Sequence, residues 1–526
     1  MKLIFYYWVF CFNFSIITIN SIDAQCEIIW QKTLGGLEND RIRGGGVLPT
    51  SYGYLLAGDS YSSISGNKTT LGSGIWLIGL DSLGNILWQK DYCNSNYILI
   101  FSFEATLDNN YIIGTHALSD TCSYKSKANL NDDLWMLKID ELGNLIWEKS
   151  IQGKNKDVVP KIQPTRDKGF LVGLSSNSNI GLDKTENCRG DYDYWIIKLD
   201  SLGNIQWQKT IGGDKEDFLR CIIVSNDGYL IGGSSYSGLT GDKLVDNFGS
   251  NDYWLLKIDF NGRIIWQREY GGSFEEYFDA LLLTKDKKYI LAGSSGSSIS
   301  GNKLVSNFSA IDWWLIGLDS LGNEMFQRVY GGNANESFAN LKNNPNNSFT
   351  IAGASGSGNS GNKLTDNKGK EDYWILNIDS LGHKVWECAF GGSNNDFLES
   401  ILVENDSTYI IAGESVSNIS GDKSEGNFGL NDIWVIKFKY KNTILPVDSK
   451  DNLKPIIWPN PTNGSSTLQL NNIESFLNVI IYNINGLPVM NSSSRTIDLT
   501  GLVPGIYILD INTKKNDVLK IKLVKY

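Results

Sequence analysis

One pattern of hydrophobic and polar positions recurs about every 60 residues over most of the chain. Two tryptophan series in the same phase mark it, with one phenylalanine replacement. The first series is Trp76, Trp135, Trp195, Trp254, Trp314, Trp374 and Trp434, and the second is Trp30, Trp88, Trp147, Trp207, Trp266, Phe326 and Trp386. A long fixed period of this kind predicts a repeat architecture in which stacked neighbours bury each unit's apolar face.

The unit at residues 217–270 predicts four short strands. The predicted strands cover 218–224, 229–233, 253–258 and 264–270. Turn residues rich in Gly, Asn and Asp separate them, and a long polar loop over 234–251 joins the second strand to the third. Four short antiparallel strands in a unit of this length predict one blade of a β-propeller.

The number of units follows from the order of the strands. Seven copies of the first three strands are present, and the fourth strand also has seven copies. Its first copy, 28–32, precedes the first complete unit, and the last unit ends near Tyr440 without one. The N-terminal strand is therefore predicted to complete the last blade, which closes the ring and removes an exposed sheet edge. Seven blades result, with six or eight as alternatives.

The pattern divides the chain into four segments. Residues 1–24 are predicted to be a secretory signal peptide, because Lys2 precedes an apolar run that ends at a small-residue site at Ala24. A membrane anchor and a lipid anchor on Cys26 are the alternatives. The other segments are the propeller (25–442), a polar linker with two prolines (443–455) and a C-terminal domain (456–526). No later stretch is apolar and long enough to predict a stable membrane span.

The C-terminal domain carries two motifs, P-N-P-x-x-G and L-x-G-L-x-P-G-x-Y, ahead of a basic final strand. The motif residues are Pro459, Asn460, Pro461, Gly464, Gly501, Leu502, Pro504, Gly505 and Tyr507. In this order they resemble the type A C-terminal sorting domain of the type IX (Por) secretion system of Bacteroidota. The resemblance implies a small β-sandwich that the type IX secretion machinery recognises, and a protein that is secreted or held at the outer cell surface. A small β-sandwich of unrelated role is the alternative. The fold class is thus all-β: a seven-bladed β-propeller of four-stranded blades plus a small C-terminal β-sandwich.

Charge and cysteine content narrow the chemistry. The 526 residues carry a formal net charge of −11, which argues against a nucleic-acid partner because phosphate binding needs a basic face. The cysteines show no C-x-x-C spacing, so a zinc site is not expected. Export permits disulfides. Cys122 and Cys188 fall in equivalent loops of neighbouring units and are the predicted pair, whereas Cys221 is predicted to be a buried free thiol.

The long connections of every unit are predicted to emerge on one face of the ring. This long-loop face contains the loops from the second to the third strand and those from the fourth strand to the next unit, and the short-turn face contains the other turns. Function is expected on the long-loop face, since loops on a rigid scaffold carry most binding sites.

Six units place a carboxylate after the connection between units, which is Gly-Gly in most of them, on this face. They are Asp40, Asp157, Asp217, Glu276, Glu336 and Asp396, and the second unit lacks one. Six carboxylates near the mouth of the channel predict a site for a cation or a hydroxyl-rich ligand. The alternative is that each carboxylate accepts N–H bonds from its own turn.

The long loops also repeat a Gly-Asn/Asp-Lys motif, as at 241–243. Calcium takes six to eight oxygen ligands, and Asp242, Asn247 and Asp252 of one loop are the candidate calcium ligands. The EF-hand spacing is absent and the lysine is an unfavourable neighbour for a cation, so a loop held by its own Asx turns is the alternative. No other cofactor is expected.

An aspartate stands two residues before six tryptophans of the first series: Asp133, Asp193, Asp252, Asp312, Asp372 and Asp432. The segment 200–207 is similar to the Trp-docking repeat of quinoprotein propellers, which bind pyrroloquinoline quinone. The resemblance implies that the Asp and Gly shape a turn and that the Trp packs between blades. Nothing in the sequence indicates the quinone itself.

Catalytic motifs are scarce. The two histidines, His116 and His383, lack an H-E-x-x-H context, and no G-x-S-x-G, P-loop or dinucleotide fingerprint occurs. The units are nearly alike; the most divergent is the second, which contains His116. The sequence therefore predicts a non-catalytic module, secreted or on the cell surface, that binds a glycan, polymer or protein. An extracellular carbohydrate-active enzyme that uses channel carboxylates is the alternative.

Overall fold

The computed structural model describes residues 25–93, 98–117, 124–125, 133–441, 456–458, 465–469, 476–483, 487–494, 496–513 and 518–525. These residues form strands and turns, with no helix among them. The chain divides into two compact units, Met1–Lys441 and Asn442–Tyr526. The predicted signal peptide, the predicted linker and four motif residues (Pro459, Asn460, Pro461 and Gly464) lie outside the described residues.

The first unit contains seven four-stranded antiparallel sheets. Sheet 1 comprises β2 (Asp40–Pro49), β3 (Gly53–Ser60), β4 (Gly74–Asp81) and β5 (Ile86–Tyr92). Sheet 2 comprises β6 (Ile98–Ala105), β7 (Tyr111–Ala117), β8 (Asp133–Ile139) and β9 (Leu145–Ile151). Sheet 3 comprises β10 (Asp157–Pro164), β11 (Phe170–Ser176), β12 (Asp193–Leu199) and β13 (Ile205–Ile211). Sheet 4 comprises β14 (Asp217–Val224), β15 (Tyr229–Ser235), β16 (Asp252–Ile258) and β17 (Ile264–Tyr270).

The remaining sheets repeat this order until the last. Sheet 5 comprises β18 (Glu276–Leu283), β19 (Tyr289–Ser295), β20 (Asp312–Leu318) and β21 (Glu324–Tyr330). Sheet 6 comprises β22 (Glu336–Asn343), β23 (Phe349–Ser355), β24 (Asp372–Ile378) and β25 (Lys384–Phe390). Sheet 7 comprises β26 (Asp396–Val403), β27 (Thr408–Ser415), β28 (Asp432–Lys441) and β1 (Gln25–Leu34). The N-terminal strand β1 thus supplies the fourth strand of the last sheet, in a register that places Thr33 opposite Trp434.

Neighbouring sheets share hydrophobic cores. Leu255 of sheet 4 packs in one cluster with Leu291 and Trp314 of sheet 5. The same arrangement joins the last sheet to the first, because Val435 and Trp76 lie in one cluster. The third strand of each sheet is buried on both faces, which explains its continuous apolar run in place of an alternating pattern.

The second tryptophan series packs each sheet against a turn of the next. The Trp207 ring of sheet 3 lies against Gly262, in the turn between β16 and β17 of sheet 4. A Cβ atom at Gly262 would lie 3.1 Å from the ring, and the φ angle of 80° there also favours glycine. Trp30 of β1 makes the same contact with Gly84 of sheet 1. At these boundaries the glycine in the turn of one sheet leaves the space that the Trp ring of the preceding sheet fills.

The disulfide bonding differs from the sequence prediction. Cys26 of β1 is bonded to Cys388 of β25, which ties the outer strands of sheets 7 and 6 together. Cys188 is a free cysteine, so the predicted Cys122–Cys188 pair is wrong. The physical reason is that the Cys188 thiol lies against its own sheet, 2.9 Å from the Ser176 carbonyl oxygen. Cys221 is free, as predicted, and is half-buried.

The second unit contains two antiparallel sheets. One has three strands, β29 (Ile456–Trp458), β30 (Ser465–Gln469) and β33 (Thr496–Asp498), and the other has four, β31 (Phe476–Asn483), β32 (Pro488–Ser492), β34 (Gly505–Thr513) and β35 (Val518–Lys525). Ile497 of the first sheet shares a core with Ile481 and Leu509 of the second. The motif residue Tyr507 donates a hydrogen bond from its hydroxyl group to the Val503 carbonyl, at 2.6 Å. This bond fixes the loop that carries Gly501, Leu502 and Pro504.

Candidate functional site

The six repeated carboxylates are buried at the start of the inner strands. Each is the first residue of its strand and has no exposed surface. The Asp217 carboxylate accepts hydrogen bonds from the Gly213 N–H at 2.7 Å and from the Ser237 hydroxyl at 3.1 Å. Asp40, Asp157, Glu336 and Asp396 accept a hydrogen bond from the serine that is equivalent to Ser237 in their own loops. Glu276 accepts one from Ser295, at the end of its neighbouring strand β19. These contacts favour the alternative in which the carboxylate holds its own turn, because no oxygen faces solvent.

The six aspartates before the first-series tryptophans are also buried, and five of them interact with a carboxyl group of the next sheet. Asp312 of sheet 5 and Glu336 of sheet 6 both point at Gly331, where a Cβ atom would lie 2.2 Å from Asp312 Oδ1 and 2.7 Å from Glu336 Oε2. The backbone supports the contact, since the Glu336 N–H donates to the Ile311 carbonyl at 3.0 Å. Charge interactions or hydrogen bonds link the members of five such interface pairs: Asp193/Asp217, Asp252/Glu276, Asp312/Glu336, Asp372/Asp396 and Asp432/Asp40.

One interface between sheets lacks both members of the pair. Sheet 1 has Gly74 where the third strand otherwise begins with Asp, and sheet 2 has Ile98 where the first strand otherwise begins with an acid. Both acids are missing at the same interface, which is what we expect if the two carboxyl groups of a pair interact with each other. A buried carboxylate that had lost its partner would be costly, so the two acids are kept or lost together.

Burial makes these pairs retain protons. It raises the pKa of Asp252 and of Glu336 to about 8, and in each case the neighbouring carboxyl adds to the shift. Burial also raises the pKa of Asp193, Asp372 and Asp432 to about 6. Two carboxylates that meet out of water cannot both ionise easily. The Asp252/Glu276 and Asp312/Glu336 pairs therefore each keep one proton at neutral pH, whereas the other three pairs keep theirs only below about pH 6.

The lysines of the Gly-Asn/Asp-Lys motif supply the positive charge of this belt. Lys243 has 1% exposed surface, and its ammonium group donates to the Ser235 hydroxyl at 2.8 Å, the Ser237 carbonyl at 2.6 Å and Glu269 at 2.8 Å. Lys68, Lys184, Lys303, Lys363 and Lys423 are equally buried. Burial lowers the pKa of Lys303, Lys363 and Lys423 to about 8. A lysine thus occupies the polar centre of the loop.

The candidate calcium ligands do not converge. Asp242 forms an ion pair with Arg189 at 2.6 Å, and the Asn247 amide donates to the Ser250 carbonyl at 2.9 Å. Asp252 is buried and accepts the Phe248 N–H. In the part of the chain that the structure describes, no group of three or more His, Cys, Asp or Glu side chains could hold a metal ion. The loop is held by its own side chains.

Calcium removal is therefore expected to leave the stability of the protein unchanged. The reason is that the Lys243 ammonium already satisfies the loop oxygens that a cation would need. The measurement is the melting temperature of the mature chain in excess calcium and in excess chelator, at constant ionic strength. An increase of several degrees in calcium, lost on substitution Asp242→Asn, would instead identify these residues as ligands.

The exposed part of the long-loop face is rich in apolar side chains. In sheet 5 the long loop exposes Ile299 (62%), Leu304 (65%) and Phe308 (49%), whereas its turn between β20 and β21 exposes Leu321 (68%). The first of these positions repeats from sheet to sheet as Ile64, Ile180, Leu239, Ile299 and Ile419, and the second as Leu244, Leu304 and Leu364. The repeated carboxylates and lysines of this face are therefore buried, whereas several of its apolar side chains are exposed.

A second polar site lies between the first strands of the sheets, here called the inner strands. A cavity of about 360 Å³ there is lined by Glu104, Lys161, Arg220, Cys221, Asp279 and Lys342, among others. Arg220 and Asp279 occupy the bulge positions of β14 and β18, where the register shifts between Leu219 and Cys221 and between Phe278 and Ala280. A bulge redirects the side chain of the extra residue.

Sequence reasoning missed these channel residues. The signal that could have found Arg220 and Asp279 is the column three residues after the start of each inner strand, where the residue type differs from unit to unit. It reads Phe101, Pro160, Arg220, Asp279, Ala339 and Glu399 from sheet 2 to sheet 7. Burial raises the pKa of Asp279 to about 7, against the opposing effect of Arg220 and Lys161.

Comparison with known families identifies the second unit. Residues 456–525 match the family model described as the secretion system C-terminal sorting domain, which confirms the resemblance of the motifs. The protein is therefore exported to the outer surface or secreted, and the sorting domain is recognised by the type IX secretion machinery. No helix among the described residues has the length and apolar character needed to cross a membrane.

Solved structures similar to this chain share little sequence with it. The polysaccharide lyase Uly1 is 8% identical, with a TM-score of 0.44, over 79% of this chain and 99% of its own. The Pan2 WD40 domain of Neurospora crassa is 9% identical, with a TM-score of 0.42, over 80% and 98%. A protein of unknown function from Dyadobacter fermentans is 9% identical, with a TM-score of 0.39, over 66% and 97%. No curated protein matches the chain.

Proposed function

We propose that this type IX-exported protein is a non-catalytic binding or adhesion module whose long-loop face binds a glycan, a polymer or a protein outside the cell. In this account the seven sheets are the blades of one closed β-propeller, and the C-terminal unit is a β-sandwich that serves export. The closed ring is supported by the core shared between sheets 7 and 1 and by the contact of Trp30 with Gly84.

The observation that carries the proposal is the composition of the exposed long-loop face. Its repeated carboxylates and lysines are used in internal hydrogen bonds, and several of its solvent-facing positions repeat Ile, Leu and Phe. Large exposed apolar surfaces on soluble proteins mark interaction sites. A contact repeated once per sheet also suits a repetitive partner, since several weak contacts on one ligand raise the overall affinity without any strong single site.

Binding without turnover is the expected result of a polysaccharide screen. The mature chain is incubated with insoluble polysaccharides and with soluble glycans, and co-sedimentation and melting temperature are measured together with the release of reducing ends. The proposal predicts retention or a thermal shift with at least one polymer and no release of product. A second arm uses outer-membrane vesicles to test a protein partner. No binding in any arm would contradict the proposal.

An extracellular carbohydrate-active enzyme is the second candidate. It is favoured by one observation: Asp279 and Glu104 are two channel carboxyl groups whose pKa values burial raises, as a general acid requires. Release of reducing ends by the wild-type protein, lost in Asp279→Asn, would establish this candidate and replace the non-catalytic proposal.

A further inference from the structure

The central channel carries charges that the long-loop face does not use. Lys161 projects from sheet 3 and Arg220 from sheet 4, and both lie on one side of the channel. Asp279 follows on sheet 5, and Glu399 projects from sheet 7. The two cations Lys161 and Arg220 therefore stand next to each other, with Glu104 of sheet 2 on one side and Asp279 of sheet 5 on the other, and Lys342 of sheet 6 stands between Asp279 and Glu399.

Lys161, Arg220 and Asp279 are half-buried, and their charged groups are kept apart from one another. No ion pair within 4.0 Å joins Lys161, Arg220 and Asp279 to one another among the described residues. The Lys161 ammonium group donates to the Phe101 carbonyl of sheet 2 at 3.0 Å. The Cys221 thiol of sheet 4 donates to the backbone carbonyl of Asp279 at 3.0 Å. Contacts with a neighbouring sheet therefore hold Lys161 and Asp279 in place. Charges withdrawn from water are normally paired. A channel that keeps opposite charges separate leaves room for a ligand between them.

The size and charge of the cavity restrict that ligand. A volume of about 360 Å³ is at the lower end for small-molecule sites. A carboxylate suits the guanidinium and ammonium groups of Arg220 and Lys161, because charge-assisted hydrogen bonds of this type are the strongest available. An ammonium group suits the Asp279 carboxylate beside them. Both groups on one small molecule match the channel.

We propose that the central channel binds a small zwitterion, a free α-amino acid or a short peptide, with its carboxylate between Lys161 and Arg220 and its ammonium group at Asp279. This site is separate from the long-loop face. It binds a small soluble molecule, whereas the long-loop face is proposed to bind a large partner. It does not depend on the proposed function of that face.

Calorimetric titration of the mature chain tests the site without any mutation. The probes are L-alanine, L-leucine and dialanine, each compared with its N-acetyl and its amide derivative. We expect saturable binding of at least one zwitterion and at least about tenfold weaker binding once either end is blocked, since each block removes one charge contact. The dialanine arm distinguishes a peptide from a free amino acid. No saturable binding of any zwitterion, or equal binding of the blocked forms, would overturn the proposal.

Two substitutions assign the ends of the ligand. Asp279→Asn is expected to weaken binding of the zwitterion at least about tenfold and to leave the N-acetyl derivative unaffected, because that derivative has no ammonium group. Arg220→Gln is expected to weaken binding of the zwitterion to a similar extent and to leave the amide derivative unaffected, because that derivative has no carboxylate. Arg263→Gln, in an exposed turn of the same sheet, is the matched control and should change nothing. Glycan binding that persists in both channel variants separates the outcome from that of the long-loop face.

Discussion

The free energy of unfolding is expected to be at least about 3 kcal/mol lower at pH 8 than at pH 5, because the interface carboxyl pairs lose their protons. In the folded state the pKa is about 8 for Asp252 and Glu336 and about 6 for Asp193, Asp372 and Asp432. These values lie above the ordinary ones, so the folded protein holds more protons than the unfolded chain. The stabilisation is complete below about pH 4 and is lost as the pH rises through 6 to 8.

The size of this effect follows from the number of pairs. One pKa unit corresponds to about 1.4 kcal/mol, so one unit retained in each of two pairs gives about 3 kcal/mol. The buried lysines oppose the trend from about pH 7 upward, since burial lowers the pKa of Lys303, Lys363 and Lys423 to about 8. Denaturant unfolding is therefore measured at several pH values between 5 and 8, and the change below pH 7 reports mainly the carboxyl contribution.

A pair of neutral variants separates this cause from general charge repulsion. The double substitution Asp252→Asn/Glu336→Gln places an amide where the protonated carboxyl stands, and it should flatten the pH dependence. Asp246→Asn removes an exposed charge from the same long loop and should leave the pH dependence intact. Equal stability of the wild-type protein at both pH values, or greater stability at pH 8, would show that the pairs hold no shared proton.

Loss of the Cys26–Cys388 disulfide is expected to lower the free energy of unfolding by about 2–5 kcal/mol. The bond joins residues 362 positions apart and ties β1 to sheet 6, so it restricts the unfolded chain over nearly the whole first unit. The double substitution Cys26→Ser/Cys388→Ser removes it without touching Cys93, which is also disulfide-bonded. The measurement is the midpoint of guanidinium unfolding.

Cys221→Ser is the control for the disulfide experiment, because Cys221 is a free cysteine in an inner strand. We expect it to shift the midpoint much less than the double variant. Limited proteolysis should also cleave the double variant faster within 25–34, since β1 is then no longer tied covalently to sheet 6. An unchanged midpoint and an unchanged cleavage rate would mean that strand pairing and the core around Leu34 are sufficient.

The four-stranded unit could be predicted from the sequence because its signals are local. Each turn contains Gly, Asn or Asp, and the tryptophans repeat with a fixed step. The strand at 28–32 could be assigned to the last unit because that unit lacks a fourth strand, and β1 does pair with β28. The disulfide could not be predicted, since it joins outer strands of neighbouring sheets and not two equivalent loops.

The candidate site was harder to predict because burial depends on the next sheet. The sequence shows that Asp217 and Glu276 are acidic, but it does not show whether their side chains face solvent or a carboxyl group of the next sheet. The pairing could have been inferred from one observation, the joint absence of both acids at Gly74 and Ile98. The channel charges escaped because the bulges that direct Arg220 and Asp279 inward have no turn residue to mark them.

The most direct test of the account compares the two faces of the ring in one binding experiment. The triple variant Leu239→Ser/Ile299→Ser/Ile419→Ser alters the long-loop face, and Leu83→Ser/Leu202→Ser/Leu321→Ser alters side chains of similar exposure on the short-turn face. Affinity is measured for a polymer or membrane preparation that the wild-type protein retains. The account predicts at least about tenfold weaker binding for the long-loop variant alone. Equal loss in both variants, or loss in the short-turn variant alone, would contradict it.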